Sequence, residues 1–228
     1  DTYKKGTTTV DNEFLQSLDR WRTYLATSIS WNNKNLNEDE INCILEYKDG
    51  VRENTGNITT DDVFVLENPR LSDLKKLINE ALNDYLKQIY HPINNVKLLS
   101  TISWLNFTDK TQYNHKHYHN NSIVSGCLYI NAKRESDCIF FTKRATGENW
   151  QLQANNYNAF NSNEFTLPVH TGDLVLFPSN LIHSVPQTDH DYTRISLAFN
   201  SFFSGELGFI DGAMKGINFL KIEKNSER

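Results

Sequence analysis

Three histidines, His115, His117 and His119, alternate with other residues in one short segment of the chain. In an extended strand, alternate side chains project from the same face, and their Cα atoms lie about 6.5–7 Å apart. Two imidazoles at that spacing can both reach one metal ion at roughly 2.1 Å. The pattern therefore indicates a metal site, although a polar surface strand with incidental histidines would have the same pattern.

A second group lies further along the chain, where Arg194 and Ser196 share one face of a predicted strand. If both faces of the sheet are covered, Arg194 is a buried cation, which is costly unless a carboxylate meets it. No acid falls nearby on that face. Two interpretations stay open: Arg194 pairs with a distant acid of this chain, or a bound cofactor supplies the carboxylate to the guanidinium fork. In the second case the Ser196 hydroxyl adds a hydrogen bond.

The elements that position these groups are predicted to be short strands. From Val96 onward, runs rich in Ile, Val, Thr, Phe and Trp are split by Asn, Gly, Pro and Asp clusters, with no helix between them. This pattern of short apolar runs and polar turns predicts an all-β sandwich or barrel. The predicted strands are residues 96–107, 111–119, 123–131, 138–142, 151–154, 164–169, 173–177, 182–186 and 193–203.

Two helices are predicted before the strands. The first covers residues 38–48 and begins with Asn37 and Glu40 in a capping-box arrangement. The second covers about residues 70–89, where apolar side chains recur at intervals of three and four. Residues 49–62 lie between the helices, are rich in Gly, Asn and Thr, and are predicted to be a loop. We expect both helices to pack on the outside of the sheet.

Composition limits the classes of protein that fit. The 228 residues suit one domain, and the formal net charge of −5 argues against a nucleic-acid binder. No apolar run approaches the roughly 18 residues that cross a bilayer, so no membrane partner is expected, and the polar start indicates no signal peptide. Cys43, Cys127 and Cys138 show no CxxC spacing, which indicates buried thiols and a cytoplasmic location.

Three motifs follow one another within residues 96–203. They are HYHNNSIVSGCLYIN, GDLVLFPSNLIHSVP and RISLAFN, and the segment ISWLNF precedes them. Together they resemble the 2-oxoglutarate/Fe(II) oxygenase superfamily, in particular a microbial and phage-associated branch with prolyl-hydroxylase-like relatives. The resemblance implies a mainly β single domain. Its double-stranded β-helix (jelly-roll) core would span residues 96–203, with a helical and irregular part at 1–95 and an extension at 204–228.

The resemblance also implies roles for individual residues. His117 and His183 would be iron ligands, and Arg194 and Ser196 would bind the distal carboxylate of 2-oxoglutarate. Tyr129 matches a position where prolyl-hydroxylase-like relatives direct a tyrosine toward the same carboxylate. The enzyme would be a hydroxylase that uses Fe(II), 2-oxoglutarate and O2 and releases succinate and CO2, with His117, His183 and Arg194 as its catalytic residues.

The sequence departs from the superfamily pattern at one metal position. The usual ligand set is two histidines and one carboxylate, but the residue two positions after His117 is His119. Three arrangements stay open: His119 completes a three-histidine site, water fills the place, or His115 pairs with His117. Asp109 and Asp137 are the nearest acids, and neither has the expected offset.

Two other functions compete with this one. A cupin-type metalloenzyme also has HxH on a barrel strand, but it normally adds a Glu that NNSIVSG lacks, and it leaves Arg194 unexplained. A catalytically silent binding domain on the same fold is favoured by the missing carboxylate ligand. The sequence leaves the substrate open between a small molecule and a peptidyl side chain, and it leaves open whether the chain forms a homo-oligomer.

Overall fold

The computed structural model describes residues 3–5, 8–10, 24–26, 36–142, 155–156 and 162–208. Within these residues, helices occur only before residue 91. They are the α-helices α1 (Glu38–Glu46) and α2 (Ser72–Tyr85), the 3-10 turns Tyr47–Asp49, Val65–Glu67 and Pro69–Leu71, and the π-helical turn Leu86–Tyr90. None of these helices is long and apolar enough to span a membrane.

Strands make up most of the remaining described chain. They are β1 (Tyr3–Lys5), β2 (Thr8–Val10), β3 (Tyr24–Ala26), β4 (Val51–Asn54), β5 (Asn57–Thr60), β6 (Val96–Thr108), β7 (Asn114–His117), β8 (Val124–Asn131), β9 (Cys138–Thr142), β10 (Glu164–Pro168), β11 (Leu174–Pro178), β12 (Ile182–Val185) and β13 (Arg194–Gly205). Strands β1 and β2 pair with each other. The others form a smaller sheet, β10-β9-β12-β7, and a larger sheet, β3-β11-β8-β13-β6-β5-β4. The predicted mainly β architecture is confirmed.

The larger sheet separates an apolar face from a polar one. On its two longest strands, Ile195 and Leu197 of β13 and Leu105 and Phe107 of β6 are buried in one hydrophobic cluster. Residues between them, including Ser196, line a cavity on the opposite face. Because side chains alternate along a strand, this period of two assigns one face to the core and the other to the site.

Helix α2 covers the apolar face. Its residues Leu74, Ile78 and Leu82 recur at intervals of four and are buried in the same cluster as the strands. Each such side chain stabilises the fold by about 1.5–3 kcal/mol when fully buried. Two amides fix the position of the helix: Asn83 Nδ2 donates to the Leu98 carbonyl at 2.9 Å, and Asn79 Oδ1 accepts from a backbone N–H of β6 at 2.9 Å. The helix packs outside the sheet, as expected.

The predicted helix boundaries are close to those in the structure. Asn37 Oδ1 accepts from the Glu40 N–H at 2.8 Å, and Glu40 Oε2 accepts from the Asn37 N–H at 2.9 Å, which confirms the capping box. The helix predicted at 38–48 consists of α1 followed by a 3-10 turn. The helix predicted at 70–89 consists of α2 with the 3-10 turn Pro69–Leu71 before it and the π-helical turn Leu86–Tyr90 after it.

The loop predicted at residues 49–62 is wrong, because these residues form the hairpin β4–β5. Strand β5 pairs with β6, with Ile58 opposite Phe107 and Thr59 opposite Asn106. The hairpin sequence is polar because one of its faces borders the cavity. Its strand conformation depends on pairing with β6, which local propensity does not reveal.

Other strand predictions differ in extent. The strand predicted at 111–119 is shorter, since β7 ends at His117 and leaves His119 beyond it. The strand predicted at 151–154 lies outside the described residues. Strands β3, β4 and β5 of the larger sheet come from the part at 1–95. The division of the domain into parts stays a prediction.

Candidate active site

Three histidine side chains meet between the two sheets. His183 of β12 lies directly opposite His117 of β7, and His119 follows two residues after β7. The ligand nitrogens of all three lie within 4.8 Å of one another. His119 Nε2 and His183 Nε2 are 3.3 Å apart. Two nitrogens bound at about 2.1 Å to one ion are separated by roughly 3.0–3.4 Å, so this pair fits a shared metal.

Backbone carbonyls orient two of these rings. His117 Nδ1 lies 2.7 Å from the carbonyl oxygen of His115, and His183 Nδ1 lies 3.0 Å from that of Leu181. A carbonyl oxygen only accepts hydrogen bonds, so each Nδ1 carries a proton and donates it. The lone pair of Nε2 is then free in both rings. This is how proteins set the tautomer and direction of metal-binding histidines.

The same three histidines are held neutral. Burial first, and nearby histidines, chiefly His117, second, together lower the pKa of His183 to about 3. Burial, with a contribution from His117, lowers the pKa of His119 to about 4. Burial also lowers the pKa of His117. Only a neutral imidazole offers a lone pair to a metal, so the cluster is ready to bind a cation near neutral pH.

His119 and His115 differ in position although both flank His117. The backbone N–H of His119 donates to the Ser179 carbonyl at 2.8 Å, and its ring lies 5.6 Å from that of Trp104. The His115 ring lies 4.9 Å from that of His117, but its nitrogens fall outside the group of mutually close ligand atoms. The structure therefore brings together His117, His119 and His183 and leaves His115 aside.

Arg194 is buried on the opposite wall of the cavity with only 3% of its surface exposed. Its Nη2 donates to Thr108 Oγ1 at 3.4 Å, whereas its Nε and Nη1 have no hydrogen-bond partner among the described residues. An acid that is distant in sequence, as one of the two open interpretations supposed, lies near this side chain: Asp137 Oδ1 is 3.7 Å from Nη1. That distance allows charge compensation but is too long for a hydrogen bond.

Asp137 has other partners. Its Oδ2 accepts from the backbone N–H of Lys133 at 2.8 Å and from the Tyr192 hydroxyl at 2.5 Å, and His190 Nε2 lies 3.2 Å from Oδ1. The carboxylate thus offsets the charge of Arg194 without occupying its free donors. The unpartnered Nε and Nη1 of this buried guanidinium can each donate a charge-assisted hydrogen bond to an incoming carboxylate, and the second N–H of Nη2 can complete a fork with either of them.

Other polar side chains surround Arg194. Ser196 lies directly opposite Tyr129 across β13 and β8, and both line the cavity together with Cys127. Burial raises the pKa of Tyr129 well above its usual range, so the phenol stays a neutral donor. Burial likewise raises the pKa of the Cys127 thiol, against an opposing hydrogen bond from Ser196. The cysteine spacing predicted only a buried thiol at Cys127, although its position two residues before Tyr129 places it on the same strand face.

One cavity of about 460 Å³ contains both the histidine cluster and the surroundings of Arg194. It extends to the hairpin β4–β5, where Arg52, Asn54 and Asn57 line its wall. No sequence pattern pointed to these three residues, because a polar hairpin without apolar alternation has no distinctive signature. No acidic side chain is among the described residues that line the cavity.

The sequence matches one family model. Residues 102–200 match the model described as "Putative 2OG-Fe(II) oxygenase". The matched range runs from β6 to β13 and includes the three clustered histidines, Tyr129, Arg194 and Ser196. No curated protein shows a significant match to the chain.

Solved structures show the same fold at low sequence identity. An oxidoreductase of the 2OG-Fe(II) oxygenase family from Burkholderia pseudomallei is 9% identical, with a TM-score of 0.56, over 82% of this chain and 86% of that one. The α-ketoglutarate-dependent epimerase SnoN from nogalamycin biosynthesis is 14% identical (TM-score 0.59; 90% and 93% covered). HygX from Streptomyces hygroscopicus, crystallised with nickel, 2-oxoglutarate and hygromycin B, is 14% identical (TM-score 0.53; 84% and 87% covered). The predicted double-stranded β-helix fold is thereby confirmed.

Proposed function

We propose, from the premise that this chain belongs to the 2OG-Fe(II) oxygenase family, that His117, His119 and His183 bind its Fe(II). We further propose that Arg194 binds the distal carboxylate of 2-oxoglutarate. Enzymes of this family use Fe(II), 2-oxoglutarate and O2. The proposal therefore concerns which residues of this chain hold those groups and what kind of substrate it oxidises.

One observation supports the assignment above all others. Arg194 is buried with two guanidinium nitrogens that have no hydrogen-bond partner among the described residues, in the same cavity as three neutral histidines whose ligand nitrogens converge. A buried guanidinium with unused donors is costly for a protein that binds no anion there. The cost is removed when a carboxylate occupies the cavity beside the metal site.

The chain's own residues would act as follows. His117 and His183 hold Nε2 toward the ion because backbone carbonyls fix their Nδ1 protons. Arg194 fixes one end of the cofactor, and the neutral Tyr129 hydroxyl and the Ser196 hydroxyl add hydrogen bonds to the same end. The ring of Phe177 lies 4.6 Å from that of His183 and helps to exclude water. Bound iron, together with 2-oxoglutarate and O2, would supply the oxidising chemistry: one oxygen atom of O2 would go to succinate as CO2 is released, and the other would hydroxylate a substrate C–H bond.

A third histidine changes the charge of the site. Three neutral imidazoles leave the full charge on the ion, whereas a carboxylate ligand would reduce it by one. The more positive centre would attract the dianionic cofactor more strongly. His119 thus favours cofactor binding, at the expense of the electron donation that a carboxylate would provide.

Calorimetry tests the proposal. 2-Oxoglutarate is titrated into the protein with Mn(II), and again with a chelator in place of the metal. We expect tight binding only with Mn(II), because the keto acid end needs the ion and the other end needs Arg194. Equal affinities in the two titrations would remove the metal from the proposal.

We also propose that the enzyme works in the cytoplasm on a small metabolite or a peptidyl side chain. The location is supported by Cys43, Cys127 and Cys138, which are all free thiols in the structure. Fractionation of the native host and a thiol-trapping assay would test it. Oxidised cysteines in protein from the host would contradict a reducing compartment.

A further inference from the structure

A row of side chains crosses the inner face of the larger sheet. Strand register places Arg52 opposite Thr59, Thr59 opposite Asn106, and Asn106 opposite Ser196, which lies opposite Tyr129. Directly opposed residues on neighbouring strands point to the same face. The row therefore begins at the exposed edge strand and ends among the side chains around Arg194.

The edge of this row is held in place by the hairpin turn. The Tyr113 N–H donates to the Gly56 carbonyl at 2.9 Å, and a Cβ on Gly56 would lie 2.7 Å from the Tyr113 carbonyl oxygen. Gly56 also has φ +90°, which favours glycine. The turn is thereby fixed against the residue that precedes Asn114 and His115. The hairpin is thus a fixed wall of the cavity.

Amides dominate this wall. Asn54 Nδ2 donates to Asn57 Oδ1 at 3.1 Å, and Asn57 Nδ2 donates to Asn106 Oδ1 at 3.4 Å. Asn57 and Asn106 are buried although they are polar. Two buried atoms that line the same cavity, Asn114 Oδ1 and His115 Nδ1, have no hydrogen-bond partner among the described residues. Unpartnered buried polar atoms that line a cavity indicate a polar ligand.

Arg52 gives this wall its charge. Its side chain is exposed at the cavity, and its guanidinium forms no hydrogen bond or ion pair with any described residue. Arg194 is the other arginine of the lining, and no described lining residue is acidic. A metal ion in the histidine cluster would add further positive charge. The cavity therefore attracts anions and repels cations at both ends.

We propose that Arg52 binds an oxyanion of the substrate, either a carboxylate or a phosphate monoester, and that Asn54, Asn57 and Asn114 hydrogen-bond its polar neighbours. The inference rests on the proposed function, since it assigns the cofactor to Arg194 and the substrate to Arg52. Burial separates the two roles. Arg194 would bind the cofactor carboxylate inside the cavity. Arg52 is open to solvent and would bind the oxyanion of a substrate as the substrate enters.

Nuclear relaxation tests the proposal without knowledge of the natural substrate. The protein is loaded with Mn(II) and saturating 2-oxoglutarate, and paramagnetic relaxation is measured for phenyl phosphate, benzoate, benzyl alcohol and benzylamine. Only a probe that enters the cavity comes near the ion. We expect stronger relaxation for the two anions than for the alcohol or the amine. The anion with the larger effect identifies the oxyanion, phosphate or carboxylate.

Two variants make the test specific. In Arg52→Gln the relaxation of the anions should fall about tenfold, because a charge-assisted pair is lost. Arg134→Gln removes the same charge from a side chain outside the cavity lining and should leave the relaxation unchanged. Calorimetry with 2-oxoglutarate and Mn(II) is run on every variant.

The outcomes separate this inference from the function on which it rests. If 2-oxoglutarate does not bind with metal, the proposed function fails. If it binds, but the anions relax no more than the alcohol, or equally in Arg52→Gln and in the wild type, the oxyanion subsite is wrong. Stronger relaxation of benzylamine would also overturn it.

Discussion

Two arginines face the same cavity from one sheet, and their surroundings differ. Arg194 is almost fully buried, has its charge offset by Asp137 and has two donor nitrogens without a partner in the described part of the chain. Arg52 lies at the exposed edge with no partner among the described residues. A buried, compensated cation suits a ligand that is enclosed in the cavity, whereas an exposed one suits the charged group of a ligand that enters from solvent. The difference agrees with the proposed roles, in which Arg194 would bind the cofactor and Arg52 the substrate.

The largest expected effect concerns pH and the buried region. Because His119 and His183 have pKa values lowered to about 4 and about 3, the unfolded chain, with histidine pKa values near 6.5, binds more protons as the pH falls below 6.5. The stability present above pH 6.5 is therefore lost as the pH drops toward 4. Between pH 6.5 and 5 the two histidines together should lower the free energy of unfolding by about 3 kcal/mol.

Urea unfolding of the metal-free protein at several pH values measures this loss. His119→Asn should flatten part of the slope of the unfolding free energy against pH. His170→Asn, at a half-buried position beside Asp173 and outside the cluster, should leave the contribution of His119 in place. A slope that is unchanged in His119→Asn would mean that other groups cause the acid sensitivity.

Arg194→Leu should weaken 2-oxoglutarate binding by about 2–4 kcal/mol, because a bidentate, charge-assisted contact in a buried site is lost. Stability should change little, since the substitution removes a buried cation and leaves Asp137 with its other three partners. Calorimetry with Mn(II) present checks the affinity. If Arg194→Leu binds as tightly as the wild type, Arg194 serves only to pair with Asp137.

Asp137→Asn tests what supports the buried arginine. Removing the carboxylate leaves Arg194 uncompensated and should lower the free energy of unfolding by about 1–3 kcal/mol. Because a competing negative charge disappears, the affinity for 2-oxoglutarate should rise. The combination of lower stability and tighter cofactor binding is the expected signature, measured by urea unfolding and calorimetry. Weaker cofactor binding would show instead that Asp137 positions Arg194.

His119→Ala should lower metal affinity about tenfold or more, as expected when a direct or supporting metal contact is removed. His115→Ala is the matched control and should change it little, since His115 lies outside the cluster. Competition with a metal-sensitive dye gives both affinities. If His115→Ala lowers metal affinity and His119→Ala does not, the ligands from this segment are His115 and His117 rather than His117 and His119.

Gly56→Ala should affect the edge of the cavity alone and leave cofactor binding unchanged. The positive φ and the contact with the Tyr113 carbonyl should shift the hairpin and cost about 1–3 kcal/mol if the strain is not relieved. Relaxation of the anionic probes should fall while 2-oxoglutarate affinity stays the same. A parallel loss of both would mean that the two ends of the cavity are not independent.

The sequence predicted the buried region far better than the edge. Alternation along β13 puts Arg194 and Ser196 on one face, and the family motifs extend from β6 to that strand, so local patterns were sufficient there. The family match also favours an oxygenase over the cupin-type alternative. Asp137 and Arg194 are 57 positions apart, and no local pattern relates them. Their proximity depends on how the two sheets meet.

The hairpin and the third histidine were harder to predict for different reasons. Hairpin β4–β5 is polar on its cavity face, so it lacks the alternation by which strands are recognised. The histidines were expected to share one strand face, but β7 ends at His117. His119 reaches the cluster by bonding to the Ser179 carbonyl beyond the strand. A regular strand period cannot describe a residue that has left the strand.

The row from Arg52 to Ser196 also fixes a distance across the larger sheet. The three intervals between β4, β5, β6 and β13 are closed by backbone hydrogen bonds, so the width between the two residues is set at about 14 Å by the strand spacing. A binding residue on a flexible loop could move to reach substrates of different length, but the backbone of Arg52, which is part of a sheet, cannot. The enzyme should therefore select among chemically similar anions by the number of bonds between the charged group and the carbon that is oxidised, with a sharp optimum in a homologous series.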